Sequence, residues 1–150
     1  MNRDTELFGE IKDLLAQQRL CVLATQGEHG PYTSIVAFFA SSDLQSLYFA
    51  TTKQTTKFQN LLNTSSVSLL IDNRRNMECD FCEAKAATVI GEARVVEKDN
   101  SPGIVEEYFR HFPHLKEFLS SPSASLIEVR AKTYFFVERF QSVREYRVSQ

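Results

Sequence analysis

A run of hydroxyl and ammonium side chains at residues 51–57 is the segment of this sequence best suited to chemistry. It reads Thr-Thr-Lys-Gln-Thr-Thr-Lys, and its second half stands at the predicted start of a helix. The first turn of a helix has unpaired backbone N–H groups and a positive dipole end. With the hydroxyls of Thr55 and Thr56 and the ammonium of Lys57, that turn would form a cradle for a phosphate monoester. The simpler alternative is that Thr55 only caps the helix and the lysines are solvated.

Other residue types that often carry chemistry stand in less favourable contexts. Cys79 and Cys82 form a Cys-x-x-Cys pair, but a structural zinc site needs four ligands, and only Cys21 and three scattered histidines remain. A thioredoxin-like role would need a βαβ setting that the pattern lacks. No Ser-His-Asp arrangement or suitably spaced carboxylate pair is readable, so hydrolysis is not indicated. The three histidines are His29, His111 and His114. Solvent-exposed positions account for them without a functional role.

The elements that must position the 51–57 run are predicted from apolar spacing. Apolar residues at helical spacing over 4–18 predict an amphipathic lid helix. Short strands over 20–25 and 32–40, joined by a turn with glycine and proline, predict a β-hairpin, and 46–51 adds a third strand. A short helix with Thr55 as its N-cap is predicted to extend to residue 63.

The second half of the chain continues the same strand-rich pattern, and Gly91 within a long β-rich run predicts a bulge or bend. The count of about six or seven hairpin-linked strands favours a mainly β fold, an antiparallel, Greek-key-like barrel with peripheral helices. The glycine motif of a Rossmann domain and a Walker loop are both lacking, so alternating βαβ units are disfavoured. The further predicted elements are strands over 67–72, 84–96, 125–140 and 143–147, a helix over 101–112 and a turn over 114–119.

Composition limits the class of protein and its partners. The chain of 150 residues predicts a single domain over 1–150, with 43% hydrophobic and 24% charged residues. A net charge of -2 without a Lys/Arg run argues against nucleic acid or an anionic membrane as partner. Residues 1–10 lack the apolar core of a signal peptide, and three cysteines do not suit a disulfide framework, so we expect a cytoplasmic protein with reduced thiols.

Several segments together resemble the FMN-binding split barrels of the pyridoxamine 5'-phosphate oxidase family. The strand Leu-Tyr-Phe-Ala-Thr at 47–51, the Thr-Lys helix start and Asn-Leu at 60–61 are similar to the family's flavin phosphate motif. The likeness extends over most of the chain, from residue 20 to 147. The other segments that carry it are 23–25 with 30–34 for the first hairpin, 72–75 with 80–81 and 89–93 for the middle portion, and 135–146 for the final strands.

The resemblance implies an FMN at each interface of a homodimer. A small barrel leaves a three-ring cofactor half exposed, and a twofold partner would cover the rest. Arg74 is one of the residues assigned to FMN below, and the alternative for it is a surface ion pair with Asp72. The residues that the resemblance assigns to FMN are Ser34, Ile35 and Val36 at the ring edge, Thr51 and Thr52 beside the ring, Lys53, Thr56 and Lys57 at the phosphate, and Arg74 from the same or the partner subunit.

The activity that the resemblance implies is that of a flavin-dependent oxidoreductase acting on a small molecule. Such a site needs few catalytic side chains, because the flavin carries the hydride or electrons. A quinone, a nitroaromatic and a nicotinamide donor remain open as reactants. The family's pyridoxamine phosphate oxidases carry a further C-terminal substrate-binding section, so that substrate is not expected. The alternative is a non-catalytic module on the same fold that binds, stores or senses flavin, deazaflavin or haem.

Overall fold

The computed structural model describes residues 2–149, and over that range the chain forms seven strands and five helices. The predicted elements are present with ends shifted by at most two residues. A four-residue helix over 80–83 was not predicted. The strands are β1 (Leu20–Gly27), β2 (Gly30–Ala40), β3 (Ser46–Thr52), β4 (Ser66–Asp72), β5 (Lys85–Val96), β6 (Ala124–Glu138) and β7 (Ser142–Arg147), and the helices are α1 (Arg3–Gln17), α2 (Thr56–Asn63), α3 (Asp80–Glu83), α4 (Pro102–His111) and α5 (Lys116–Ser120).

The strands form one antiparallel sheet in the order β3-β2-β1-β4-β5-β6-β7, which closes because β3 also pairs with β6. That closing ladder runs from Ser46 opposite Arg130 to Thr52 opposite Ala124. β6 has 15 residues and is long enough to pair with two strands along the same edge. Its first half pairs with β3, and its second half pairs with β7. Closure removes exposed strand edges. The predicted fold class, a mainly β antiparallel split barrel with peripheral helices, is confirmed.

The bulge predicted at Gly91 is present in the β5–β6 ladder, and its extra residue lies on β6 opposite Ile90 and Gly91. The register changes from Ile90 opposite Thr133 to Gly91 opposite Ala131, which leaves Lys132 as the extra residue. A Cβ atom on Gly91 would lie 2.4 Å from the carbonyl oxygen of Arg130. Only glycine allows the two backbones to approach this closely, and the bulge supplies local twist that helps a small barrel to close.

Two apolar clusters lie on opposite sides of the barrel wall. The interior is filled by alternate strand residues such as Leu23, Phe49 and Phe136, and α1 packs its apolar face against this cluster as the predicted lid helix. The second cluster lies outside the barrel, where α4 and α5 pack Tyr108 and Leu119 against β2, β3 and β6. The α4–α5 segment therefore covers only one part of the outer wall.

The rest of the outer wall carries an uncovered row of mostly apolar residues. Residues opposite each other in an antiparallel pair share a face. Ile35 pairs with Val22, Val22 with Leu70, Leu70 with Thr88 and Thr88 with Phe135, so these five residues form one row across five strands, which we call the outer row. Ile35 is 68% exposed, and its neighbour Leu20 is 59% exposed. The other four residues of the row are half-buried, so the exposed apolar surface is concentrated at its Ile35 end.

None of the helices within residues 2–149 has the length and apolar character needed to cross a membrane. Cys21, Cys79 and Cys82 are free thiols. Burial raises the pKa of Cys21 to about 12, so this thiol stays protonated inside the barrel. Within the described part of the chain, no group of three or more His, Cys, Asp or Glu side chains could hold a metal ion.

Candidate functional site

A groove of about 340 Å³ lies where β2 and β3 meet the α4–α5 segment and the start of α2. Strand backbone and small side chains form its floor. One wall consists of Tyr108 on α4, Leu115 in a short 3-10 turn and Phe118 on α5. We call this space the β2–β3 groove. Its lining residues are Ile35, Val36, Ala37, Ala50, Thr51, Thr52, Thr55, Lys57, Tyr108, Leu115 and Phe118.

The start of α2 is fixed by a network of threonine hydroxyls. The Thr55 Oγ1 accepts from the Phe58 N–H at 3.3 Å and donates to the Thr52 carbonyl at 2.9 Å. It also lies 2.8 Å from the Thr51 Oγ1. Thr55 is therefore the N-cap that the sequence predicted, and its hydroxyl is committed to the protein. The N–H groups of Thr56 and Lys57, in the first turn, remain as donors without intrahelical acceptors.

The groove brings together five of the nine residues predicted to bind FMN. Lys53 and Thr56 are exposed on either side of Thr55 and do not line the groove. Ser34 also lies outside the lining, and its hydroxyl is buried without a hydrogen-bond partner. Whether these residues contact a cofactor stays a prediction. The five that line the groove are Ile35, Val36, Thr51, Thr52 and Lys57.

The groove combines a cationic end with an apolar wall. Lys57 lies at one end, and the first turn of α2 carries no acidic residue to oppose it. Burial raises the pKa of Tyr108 to about 12, so its phenol stays protonated at neutral pH and can donate a hydrogen bond. An anionic group at the α2 end joined to a flat apolar body fits this arrangement.

Sequence reasoning missed the wall residues Tyr108, Leu115 and Phe118. The 101–119 region was predicted to be helical, and its aromatic residues were visible in the sequence. What the sequence did not show was the part of the barrel wall that this region covers, because that depends on the pairing of β3 with β6. A helical aromatic segment placed between two strands is the signal that could have suggested such a wall.

Arg74 lies in a second and larger pocket of about 520 Å³ between the loop after β4 and the end of β6. Its guanidinium pairs with the Asp72 carboxylate at 3.0 Å, the alternative considered for it from the sequence, while its side chain is 64% exposed. The Phe81 and Phe140 rings both line this pocket and contact each other, with centroids 5.8 Å apart and planes tilted by 60°. We call it the Phe81–Phe140 pocket. Within the chain, Arg74 does not line the β2–β3 groove.

The outer row connects the two spaces. Ile35 lines the β2–β3 groove, whereas Leu70 lines the Phe81–Phe140 pocket, and Val22 lies between them. Both spaces therefore open onto the same uncovered face of the barrel.

A buried carboxylate on β6 forms a separate polar cluster. Glu128 accepts hydrogen bonds from the Ser46 hydroxyl at 2.8 Å, the Tyr48 hydroxyl at 3.1 Å and the Arg94 guanidinium. Burial by itself raises the pKa of Glu128, but the bonds from Ser46 and Arg94, the charge of Arg94 and the Tyr48 bond together outweigh it. The pKa is thus held below its usual value. The cluster joins β3, β5 and β6 and does not line the groove.

Comparisons with known proteins show which family and which solved structures this chain is similar to. The family model described as pyridoxamine 5'-phosphate oxidase matches residues 7–138. No curated protein sequence matches the chain. Among solved structures, General Stress Protein 26 from Bacillus anthracis is 22% identical with a TM-score of 0.74, covering 95% of this chain and 98% of that one.

Two further structures with this fold carry names that refer to haem. A heme binding protein from Mycobacterium smegmatis is 16% identical with a TM-score of 0.81, covering 93% of this chain, which spans 57% of that protein's chain. HutZ, a heme storage protein from Vibrio cholerae, is 19% identical with a TM-score of 0.71, covering 83% of this chain and 89% of that one. At these identities the likeness shows a shared fold.

Proposed function

The chain belongs to the pyridoxamine 5'-phosphate oxidase family, and from this premise we propose that it binds FMN in the β2–β3 groove as a homodimer and acts as a flavin-dependent oxidoreductase on a small molecule. The observation that carries the proposal is the start of α2, where Lys57 lines an apolar groove and the first-turn N–H groups have no intrahelical acceptors. FMN has the matching chemistry, a phosphate monoester joined to a flat ring system. The donor set of the groove therefore fits the cofactor.

The chain's own residues bind and orient the flavin in this proposal. The N–H groups of Thr56 and Lys57 and the Lys57 ammonium bind the phosphate, and Lys53 adds positive charge nearby. Ala37 and Ala50 are small enough to let a flat ring lie close to the strands. When bound, FMN supplies the hydride or electron transfer, and the groove supplies position and exclusion of water.

The outer row supports the proposed homodimer. An exposed apolar face of this kind typically marks an interaction site. A second copy packed about a twofold axis would cover the row on both subunits and close the open side of each groove. Arg74 would be available to the partner's groove in such a dimer, because its exposed ion pair with Asp72 contributes little and can exchange partners.

A second candidate function is a non-catalytic haem-binding module. The observation that favours it is the Phe81–Phe140 pocket, the larger of the two spaces, whose lining combines two aromatic side chains with the cations Arg74 and Lys85 and the carboxylates Asp72 and Asp80. None of the three histidines lines this pocket, and Met77 is its sulfur-bearing lining residue. Two structures of this fold are named as heme-binding or heme-storage proteins.

The first test is titration of the purified protein with FMN, riboflavin and hemin, followed by desalting and an absorbance spectrum. We expect about one FMN per chain to be retained. Riboflavin lacks the phosphate and is the matched control, so we expect it to bind about tenfold or more weakly. Retention of hemin without FMN would instead support the haem module. Equal affinity for riboflavin and FMN would show that the start of α2 does not bind the phosphate.

A second test separates the enzyme from the carrier. The FMN-loaded protein is mixed with reduced nicotinamide and a quinone or nitroaromatic acceptor. The rate of nicotinamide oxidation is measured, and the rate given by free FMN alone is subtracted. Turnover above the free-flavin rate supports an oxidoreductase. Tight FMN binding without such turnover across these acceptors favours a storage or sensing role.

A further inference from the structure

The ammonium of Lys98 lies among three backbone carbonyl oxygens at the junction of α5 and β6. Its Nζ donates to the carbonyls of Leu119 at 2.8 Å, Ser121 at 3.1 Å and Ala124 at 2.9 Å. A lysine ammonium has three N–H donors, so this set uses all of them. Lys98 is therefore committed to the end of α5 and the turn after it, and it does not line the β2–β3 groove.

The turn that Lys98 holds is connected to the loop before α2. Within the turn, the Ser123 N–H donates to the Ser121 Oγ at 3.3 Å, and the Ala124 N–H donates to the Ser121 carbonyl at 3.1 Å. The Ser123 carbonyl then accepts from the Lys53 backbone N–H at 2.9 Å. Lys53 lies two residues before Thr55, where the anion cradle begins. One hydrogen-bonded turn thus joins the Lys98 ammonium to the cradle.

The same ammonium also fixes the apolar wall of the groove. α5 has five residues, and a helix this short is not stable without external contacts. Lys98 binds the carbonyl of Leu119, one residue after the groove residue Phe118. The buried side chain of Leu119 anchors the helix from its other side. The position of Phe118 therefore depends on both the Leu119 side chain and Lys98.

We propose that Lys98 is a positioning residue for the cofactor groove, which sets the distance between the anion cradle and the α4–α5 wall without touching the ligand. This inference rests on the proposed FMN function. It assigns a role to a lysine outside the 51–57 run, and it predicts that FMN affinity depends on an ammonium that never contacts the flavin.

The test compares Lys98→Met with Lys116→Met. Both variants remove one ammonium near α5, but Lys116 lies over the Phe109 ring at 5.5 Å. FMN affinity and the visible circular dichroism of the bound flavin are measured where far-ultraviolet spectra show all variants folded. We expect Lys98→Met to weaken FMN binding about tenfold and to alter the flavin spectrum. We expect Lys116→Met to stay within about twofold, and Lys98→Arg to recover part of the loss.

Hydrogen exchange of the flavin-free protein makes the outcome independent of the proposed function. Lys98→Met should speed exchange of the Lys53 amide, whereas Lys116→Met should not. If Lys98→Met does not fold, Lys98→Gln, which keeps two N–H donors, replaces it. Unchanged FMN affinity and Lys53 exchange in the Lys98 variant would overturn the inference. Wild-type protein that binds no FMN would overturn the proposed function, and faster Lys53 exchange would then still support the link from Lys98 to the loop.

Discussion

Lys57 is a half-buried cation at the end of the β2–β3 groove where the phosphate is proposed to bind. Its ammonium would make a charge-assisted hydrogen bond, which is worth about 1.5–3 kcal/mol. We therefore expect Lys57→Ala to weaken FMN binding by about tenfold to a hundredfold without lowering the unfolding temperature much. Fluorescence titration measures the affinity. The control is Lys132→Ala, which removes a lysine paired with Glu92 on the exposed surface, and equal losses in both variants would contradict the assignment.

Glu128 makes a pH-dependent contribution to stability through its buried bonds. Its folded-state pKa is lowered, so the contribution is fully present above the ordinary value of 4.5 and is lost as the pH falls through the folded-state pKa. We expect Glu128→Gln to lower the free energy of unfolding by about 1–3 kcal/mol at pH 7, and the difference from wild type to shrink below pH 4.5. Urea denaturation at pH 7 and at acidic pH measures this. A difference that stays constant across both would show that charge is not involved.

At the scale of elements, the bulge between β5 and β6 requires a glycine at position 91. A Cβ on Gly91 would meet the Arg130 carbonyl oxygen at 2.4 Å, and backbone on both sides prevents an easy shift. We expect Gly91→Ala to destabilise the protein by about 3 kcal/mol or more. Gly103→Ala is the matched control, because a Cβ there meets nothing within 4 Å and alanine favours the helix. Thermal unfolding compares the two variants, and similar melting temperatures would show that the bulge can relax.

Helices and strands could be predicted where their sequence signals are local. Which elements pack against each other could not be predicted. Thr55 was identified as a cap because the cap depends on residues within three positions of it. By contrast, the contact of Tyr48 with Glu128 joins residues 80 positions apart, and no spacing in the sequence indicates it. The α4–α5 wall of the groove depends on that same long-range pairing. Helix α3 was missed because the Asp80 carboxylate organises its loop by binding the N–H groups of Arg75 and Met77.

At the scale of the whole molecule, the outer row predicts how copies of the chain associate. Ile35 is its most exposed aliphatic member, and a charge there would have to be buried without a partner in a dimer. We expect Ile35→Glu to convert the proposed dimer to a monomer and to weaken FMN binding as well. Light scattering coupled to gel filtration measures the mass. Leu62→Glu places the same charge on an exposed residue of α2 outside the row, and a monomeric wild type would contradict the proposed interface.

The late position of β6 in the chain has a consequence for synthesis. The barrel closes only when residues 124–130 pair with β3, which lies about 80 positions earlier. A growing chain therefore carries β3 with one unpaired edge while about half of the chain is synthesised, and long-range pairing of this kind folds slowly. Open strand edges attract other strands during that interval. We therefore expect barrel closure to be the slow step of folding, and chaperones to meet this protein chiefly as an unclosed sheet.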